Sequence, residues 1–161
     1  MIKTIGVHIK VRDFAKSRAF YVGFGFPVVF EYGPDKEVKE DYSGATFQVG
    51  TAKLEVADGH RAVKPEVFEQ EVKSSKISLM VEVESLAKII ERAKKMGLSP
   101  TTPVRHYYWG KLEVVYRDPD GVILVFTQPY NAEDAKKLKA VKSLGWDNLS
   151  PLIYEDDSNR D

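Results

Sequence analysis

Residues 5–32, IGVHIKVRDFAKSRAFYVGFGFPVVFEY, and residues 77–104, ISLMVEVESLAKIIERAKKMGLSPTTPV, are two copies of one unit. At an offset of 72 residues, Val11 meets Val83, Phe14 meets Leu86, Ala15-Lys16 meets Ala87-Lys88, and Gly25 meets Gly97. Order, spacing and glycine placement agree together, which chance similarity does not produce. Each copy opens with apolar and polar residues in alternation, the mark of a strand with one buried face. The apolar rows are Ile5, Val7, Ile9 and Val11 in the first copy and Ile77, Leu79, Val81 and Val83 in the second. Each copy then changes to helical spacing. Leu86, Ile89, Ile90 and Ala93 fall at i, i+3, i+4 and i+7, and Phe14, Ala19, Phe20 and Phe24 give a rougher stripe. Asp13 and Ser85 suit the N-cap positions, and Gly25 and Gly97 suit the left-handed residue that ends a helix.

Three strands are expected after each helix. In the first copy they are Val28–Tyr32, Ala45–Val49 and Ala52–Ala57, with Gly50-Thr51 as a tight turn. In the second they are a weak strand over Val104–Tyr108, then Leu112–Tyr116 and Val122–Thr127. The turn between the last two is Asp118-Pro119-Asp120-Gly121. The sequence therefore predicts an α+β fold of two tandem βαβββ modules, about 1–59 and 76–130, joined by a linker over 60–75. Modules and linker count as a single domain over 1–130. A tail over 131–161 follows, with a helix expected from Ala132 to Leu144, capped by Asn131 and ended by Gly145.

Composition narrows the function. Lys plus Arg and Asp plus Glu both number 24, so the formal charge is zero and there is no electrostatic footprint for nucleic acid or an anionic membrane. There is no cysteine, which excludes disulfides, thiolate metal sites and cysteine nucleophiles. No apolar run approaches the ~20 residues of a membrane span, and the opening residues lack the apolar core of a secretory signal. A cytoplasmic, soluble protein is expected. No G-x-S-x-G, G-x-G-x-x-G or Walker-type loop is present, which argues against a serine nucleophile or a nucleotide cofactor.

The pattern from His8 to Phe26, with Val11, Asp13, Ser17, Phe20, Tyr21 and Gly25 between them, resembles the opening of vicinal oxygen chelate proteins. These are the glyoxalase, bleomycin-resistance, fosfomycin-resistance and extradiol dioxygenase relatives. Trp109-Gly110 and the Asp118–Gly121 turn fit the same resemblance, which covers about residues 5–128. It implies that the paired modules form a concave groove and that the protein is a homodimer. It also implies four metal-ligand positions, on the first and last strands of each module, which here read Gly6, Glu55, Ser78 and Val125. Only Glu55 is a good ligand, and one carboxylate does not hold a transition metal. The resemblance is therefore to the metal-free, bleomycin-resistance-like branch, with no cofactor and no metal. A displaced site built from His8, Glu55 and Glu113 is the alternative.

Period-2 alternation, set in that frame, gives the residues facing the groove. They are His8 and Lys10; Thr46 and Gln48; Lys53 and Glu55; Ser78 and Met80; Lys111 and Glu113; and Ile123, Val125 and Thr127. The aromatic run Tyr107-Tyr108-Trp109 reads either as a stacking wall at the groove mouth or as packing at a strand edge or dimer contact. His60 reads as ordinary surface. The ligand-binding set expected is His8, Gln48, Glu55, Ser78, Tyr108, Trp109, Lys111 and Glu113. The function expected is sequestering or sensing a small organic ligand, and the three poor metal-ligand positions argue against catalysis without deciding it. The alternative is a glyoxalase-like lyase, isomerase or dioxygenase working through the displaced metal site or through His8 and a glutamate as acid and base.

Overall fold

The computed structural model of the chain describes residues 1–107 and 109–142. They fall into two compact units, one of residues 1–73 with 118–121, the other of residues 74–117 with 122 onward. The fold is α+β, with a βαβββ module in each unit.

The first unit runs β1 (Gly6–Lys10), α1 (Phe14–Phe24), β2 (Val28–Tyr32), β3 (Gly44–Val49), β4 (Ala52–Ala57) and a one-turn helix α2 (Pro65–Phe68). Its sheet has the order β1-β4-β3-β2, so the first strand lies beside the last, in parallel. The helix carries the chain from one edge of the sheet to the other. It starts where the Asp13 carboxylate accepts from the Lys16 backbone N–H, and it ends at Gly25, whose φ of 96° is the left-handed conformation that side chains disfavour. The amides of Gly25 and Phe26 then bond back to Val22 and Tyr21. The buried face of α1 is Ser17, Phe20, Tyr21 and Phe24. This is a regular helical stripe, but it differs from the expected one: Ala19 is exposed, and the polar Ser17 takes its place. Tyr21 lies 5.3 Å from Phe26 and 5.6 Å from Phe47, ring to ring, and Val56 and Leu54 complete this core.

Ser17 can be buried because it meets a carboxylate. The first unit includes the turn Asp118–Gly121, and both of its aspartates are buried. The Tyr21 hydroxyl donates to Asp118 Oδ2 at 2.8 Å, and Ser17 donates to Asp120 Oδ2 at 3.4 Å. Arg12 supplies its backbone N–H at 3.1 Å and its Nε at 3.0 Å to Asp120 Oδ1. Gly121 has a φ of +89°, and a Cβ there would run into the Val72 carbonyl oxygen. The expected linker is thus more than a connection. It docks Val72 on this turn, with the Val72 N–H on the Asp120 carbonyl at 2.7 Å, and it buries Phe68.

The second unit runs β5 (Ser78–Glu82), α3 (Leu86–Lys95), β6 (Thr102–Tyr107), β7 (Lys111–Arg117), β8 (Ile123–Pro129), α4 (Ala132–Lys137) and β9 (Val141–Lys142). The sheet order is β5-β8-β7-β6-β9. Leu86, Ile89 and Ala93 of α3 are buried as the spacing predicts. The first-strand rows are less buried than alternation suggests. Ile5 and Ile77 lie exposed ahead of their strands, while Ile9 and Val11 are buried and Leu79, Val81 and Val83 are half-buried.

The tail helix is shorter than expected. It is capped by Asn131, whose side chain accepts from the Asp134 N–H, but it ends at Lys137 rather than Leu144. No residue of α4 is fully buried, so packing adds little to a helix too short to hold itself. Lys139 takes a φ of 52°, Ala140 bonds back to Ala135, and the chain then pairs Val141 and Lys142 with Arg105 and His106 of β6. The expected helix end at Leu144 and Gly145 lies outside the described residues.

Tyr21→Phe keeps the ring and removes one donor from buried Asp118. The expected cost is about 1–3 kcal/mol, read as a lower urea midpoint at unchanged m-value. Glu91→Ala breaks only the exposed Glu91–Lys95 ion pair and leaves the midpoint in place. A Tyr21→Phe midpoint equal to that of the wild type would show that the contact contributes nothing.

Candidate functional site

Strand register builds the site in the first unit. Phe30 of β2 stands opposite Thr46 of β3, Thr46 opposite Glu55 of β4, and Glu55 opposite His8 of β1. Cross-strand partners share a face, so Phe30, Thr46, Glu55 and His8 form one row across all four strands. The next row on that face is Gln48, Lys53 and Gly6. A bulge in β2 between Val28 and Phe30 brings Val29 to the same hollow. The two rows with Val7 and Val29 line a pocket of about 490 Å³, within the range of small-molecule sites. Val29 and Phe30 are 53% and 47% exposed and give it an apolar wall.

Glu55 is held by a third row. The Tyr32 hydroxyl donates to Glu55 Oε1 at 2.7 Å. Tyr32 reaches it by lying over Gly44, where any Cβ would collide with the ring. Burial, then the Glu55 hydrogen bond, pushes the Tyr32 phenol well above its ordinary value, so it stays a donor.

His8 has a ring nitrogen, Nε2, that is buried without a hydrogen-bond partner among the described residues. Its pKa lies below the ordinary 6.5. Burial is the main cause, with Lys10 and His60 adding to it and Glu55 opposing. The ring of His60 stands edge-on to His8 at 5.6 Å between centroids. His60 is exposed, as expected of surface, yet it forms one side of the His8 environment.

The expected ligand-binding residues separate into groups. His8 and Glu55 are brought together. Gln48 lines the same pocket, but its amide nitrogen is committed to the β3–β4 turn, donating to the Gly50 carbonyl at 2.7 Å and the Ala52 carbonyl at 3.1 Å. In the second unit, Lys111 pairs with Glu82, and Ser78 is exposed on β5 opposite Ile123. Glu113 is buried, and the Trp109 indole donates to it. Trp109 also stacks on Tyr107 with centroids 4.4 Å apart. Tyr108 lies outside the described residues. Tyr32, Phe30, Val29 and Gly44 were not among the expected site residues. Alternation does set Tyr32 and Phe30 on one face of β2, but the bulge that adds Val29 leaves no periodic signal.

A doubled βαβββ chain with a ligand-sized hollow on one sheet defines a class, and the sequence profile of the Glyoxalase/Bleomycin resistance protein/Dioxygenase superfamily matches residues 5–126. The chain belongs to that superfamily. Among solved structures it is similar to a bleomycin-binding protein complexed with bleomycin, at 23% identity and a TM-score of 0.52, over 80% of this chain and 100% of that one. It is also similar to the fosfomycin resistance protein FosX from Mesorhizobium loti, at 16% identity and a TM-score of 0.59, over 83% and 97%. A third is FosX from Listeria monocytogenes complexed with Mn(II) and sulfate ion, at 13% identity and a TM-score of 0.59, over 85% and 98%. These likenesses are of fold. A search of curated proteins gives no match.

The residues present do not fit a metal of the kind the superfamily implies. Gly6 has no side chain, Val125 no donor atom, and Ser78 only a neutral hydroxyl. Register also sets Gly6 opposite Lys53, with His8 rather than Gly6 across from Glu55. His60 Nδ1 is engaged by the Ala62 N–H at 3.1 Å. Within either unit, no three histidine or carboxylate residues among those described gather as a metal group.

The depressed His8 pKa has a consequence for stability. Between the unfolded value near 6.5 and the lower folded one, the unfolded chain binds more protons, so stability falls as pH falls through that window. His8→Gln removes this contribution. The loss of thermal stability from about pH 7.5 to about pH 5.5 is expected to be smaller in the variant. Equal losses in both proteins would contradict a buried, neutral His8.

Proposed function

We propose that this chain is a metal-free small-molecule-binding protein that sequesters or senses an organic ligand, with the open face of the first sheet as a binding surface. The observation that carries the reading is the row Phe30–Thr46–Glu55–His8. It ends in a buried ring nitrogen with no partner among the described residues, beside a carboxylate fixed by Tyr32. A buried polar atom without a partner costs about 1–3 kcal/mol, and a ligand group that bonds to it recovers that cost. The pocket offers an apolar wall from Val29 and Phe30, an acceptor and negative charge from Glu55, a cation from Lys53, and hydrogen bonding from His8 and Thr46. Such a mixture suits an organic molecule with a flat or branched apolar part and a few polar groups. The likeness to a bleomycin-binding protein is in keeping with this. Ser78, Lys111, Glu113, Trp109 and Tyr108 belong to the same proposal as ligand contacts from the second repeat. So do homodimerisation and a cytoplasmic location; among the described residues no helix is long and apolar enough to cross a membrane.

A second reading has one observation behind it. A neutral imidazole whose nitrogen has no partner among the described residues, next to a carboxylate, can take up a proton, so His8 and Glu55 are also equipped for acid–base chemistry. Turnover of a bound compound that stops in His8→Phe would favour it.

The binding reading is tested with a thermal-shift screen of small organic compounds against the wild-type chain. Compounds that stabilise it are expected to bind at least about tenfold more weakly to Glu55→Gln and to His8→Phe, while the unliganded variants stay folded. Hits that bind all three proteins equally would remove this pocket from the account. A screen with no hits would remove the reading.

A further inference from the structure

The second unit holds a pair of side chains that the pocket of the first unit does not explain. Glu113 of β7 and Thr127 of β8 stand directly opposite each other in register, on the face that also carries Arg105 and Tyr107 of β6. Directly opposed residues in an antiparallel pair have Cβ atoms about 5 Å apart. Glu113 is 7% exposed and Thr127 is 5% exposed. Glu113 Oε1 and Thr127 Oγ1 are both buried with no hydrogen-bond partner among the described residues. Two adjacent orphaned oxygens in a native sheet are an anomaly, because buried polar atoms are nearly always paired.

The surroundings say what would pair them. The Trp109 indole donates to the Glu113 carboxylate and leaves Oε1 over. Lys111, the cation beside Glu113, is taken by an ion pair with Glu82. Arg105 stands across from Glu113 in register yet makes no ion pair with it among the described residues. Tyr107 and Trp109 form a stacked aromatic plate at the same place, and Trp109 is half exposed, so the plate reaches solvent. An acceptor oxygen, a hydroxyl beside it and an aromatic surface match a flat nitrogen cation with more than one N–H.

We propose that Glu113 and Thr127 form a subsite for an organic nitrogen cation with N–H donors, of the amidinium, guanidinium or primary ammonium class. The proposal rests on the reading of the chain as a small-molecule binder and adds the chemical class of a group it takes. One N–H donates to Glu113 Oε1 and a second to Thr127 Oγ1, while the plane of the cation lies against Tyr107 and Trp109. Binding would also change the carboxyl itself. Burial raises the Glu113 pKa against the lowering pull of Trp109 and Lys111, and a cation in contact would bring it down again.

The test is an NMR titration of the full chain with benzamidinium, with neutral benzamide as the control of equal shape. The expected result has three parts. Benzamidinium shifts the Thr127 methyl and Glu113 carboxyl resonances. It binds at least about tenfold more tightly than benzamide. The Glu113 pKa falls on saturation. Glu113→Gln and Thr127→Val are both near-isosteric and are expected to keep the wild-type amide spectrum while losing that preference. Equal affinity for the two probes, or undiminished benzamidinium binding by Glu113→Gln, would overturn the proposal. So would the absence of any shift at Thr127 and Glu113. If screening hits still perturb His8 and Glu55 in that case, the cation subsite falls alone; if they do not, the binding reading falls with it.

Discussion

Asp118 and Asp120 are buried beside α1, where Tyr21 and Ser17 donate to them and Arg12 closes on Asp120 with backbone and side chain. This contact is the constraint on which the first unit depends. It lets a serine sit in the buried stripe of α1 and fixes the ring of Tyr21 against Phe26 and Phe47. It also anchors the chain two residues past the end of β1, at Arg12. The two carboxylates come from about a hundred residues downstream, so the first repeat does not carry its own complement of partners. Burying two carboxylates is costly unless every lone pair finds a donor, and here hydroxyls, a guanidinium and backbone amides supply them.

With α1 seated, the parallel pairing of β1 with β4 follows, and its register decides the chemistry. His8 lands opposite Glu55, and the row continues through Thr46 to Phe30. A shift of one residue would turn His8 toward the core and Ile9 outward. The second sheet repeats the plan with different residues. Met80 stands opposite Val125 where the first sheet has His8 and Glu55, and the buried polar pair is displaced to Glu113 and Thr127. The two repeats thus keep one architecture and carry different polar groups on it.

Much of this was legible in the sequence. The 72-residue repeat and the alternation within it placed β2 and β4 at their observed bounds and the other strands of the two βαβββ modules within a few residues, since strand periodicity and glycine-bearing turns are local signals. His8 and Glu55 were legible for the same reason. What escaped depended on contacts distant in sequence. Ser17 reads as polar until Asp120 is beside it, and Phe68 reads as linker until it is buried. The tail shows the opposite error. Leu138, Val141 and Leu144 have helical spacing, yet no residue of α4 is fully buried, and the backbone of Val141 and Lys142 pairs with the edge of β6. Gln48 lines the same hollow as His8 and Glu55, but its amide is used by the turn next to it.

The proposal of binding without a metal rests on the donor set at the four positions the family resemblance implies. Gly6, Ser78 and Val125 are expected at three of those positions, and Glu55, expected at the fourth, is tied to Tyr32. The most direct measurement is the metal content of the untagged protein, purified without chelator, by elemental analysis. Binding without a metal predicts far less than one equivalent of zinc, nickel, manganese or iron per chain, and no thermal stabilisation when these ions are added. A near-stoichiometric metal that is lost on dialysis against chelator, with a fall in stability, would contradict it.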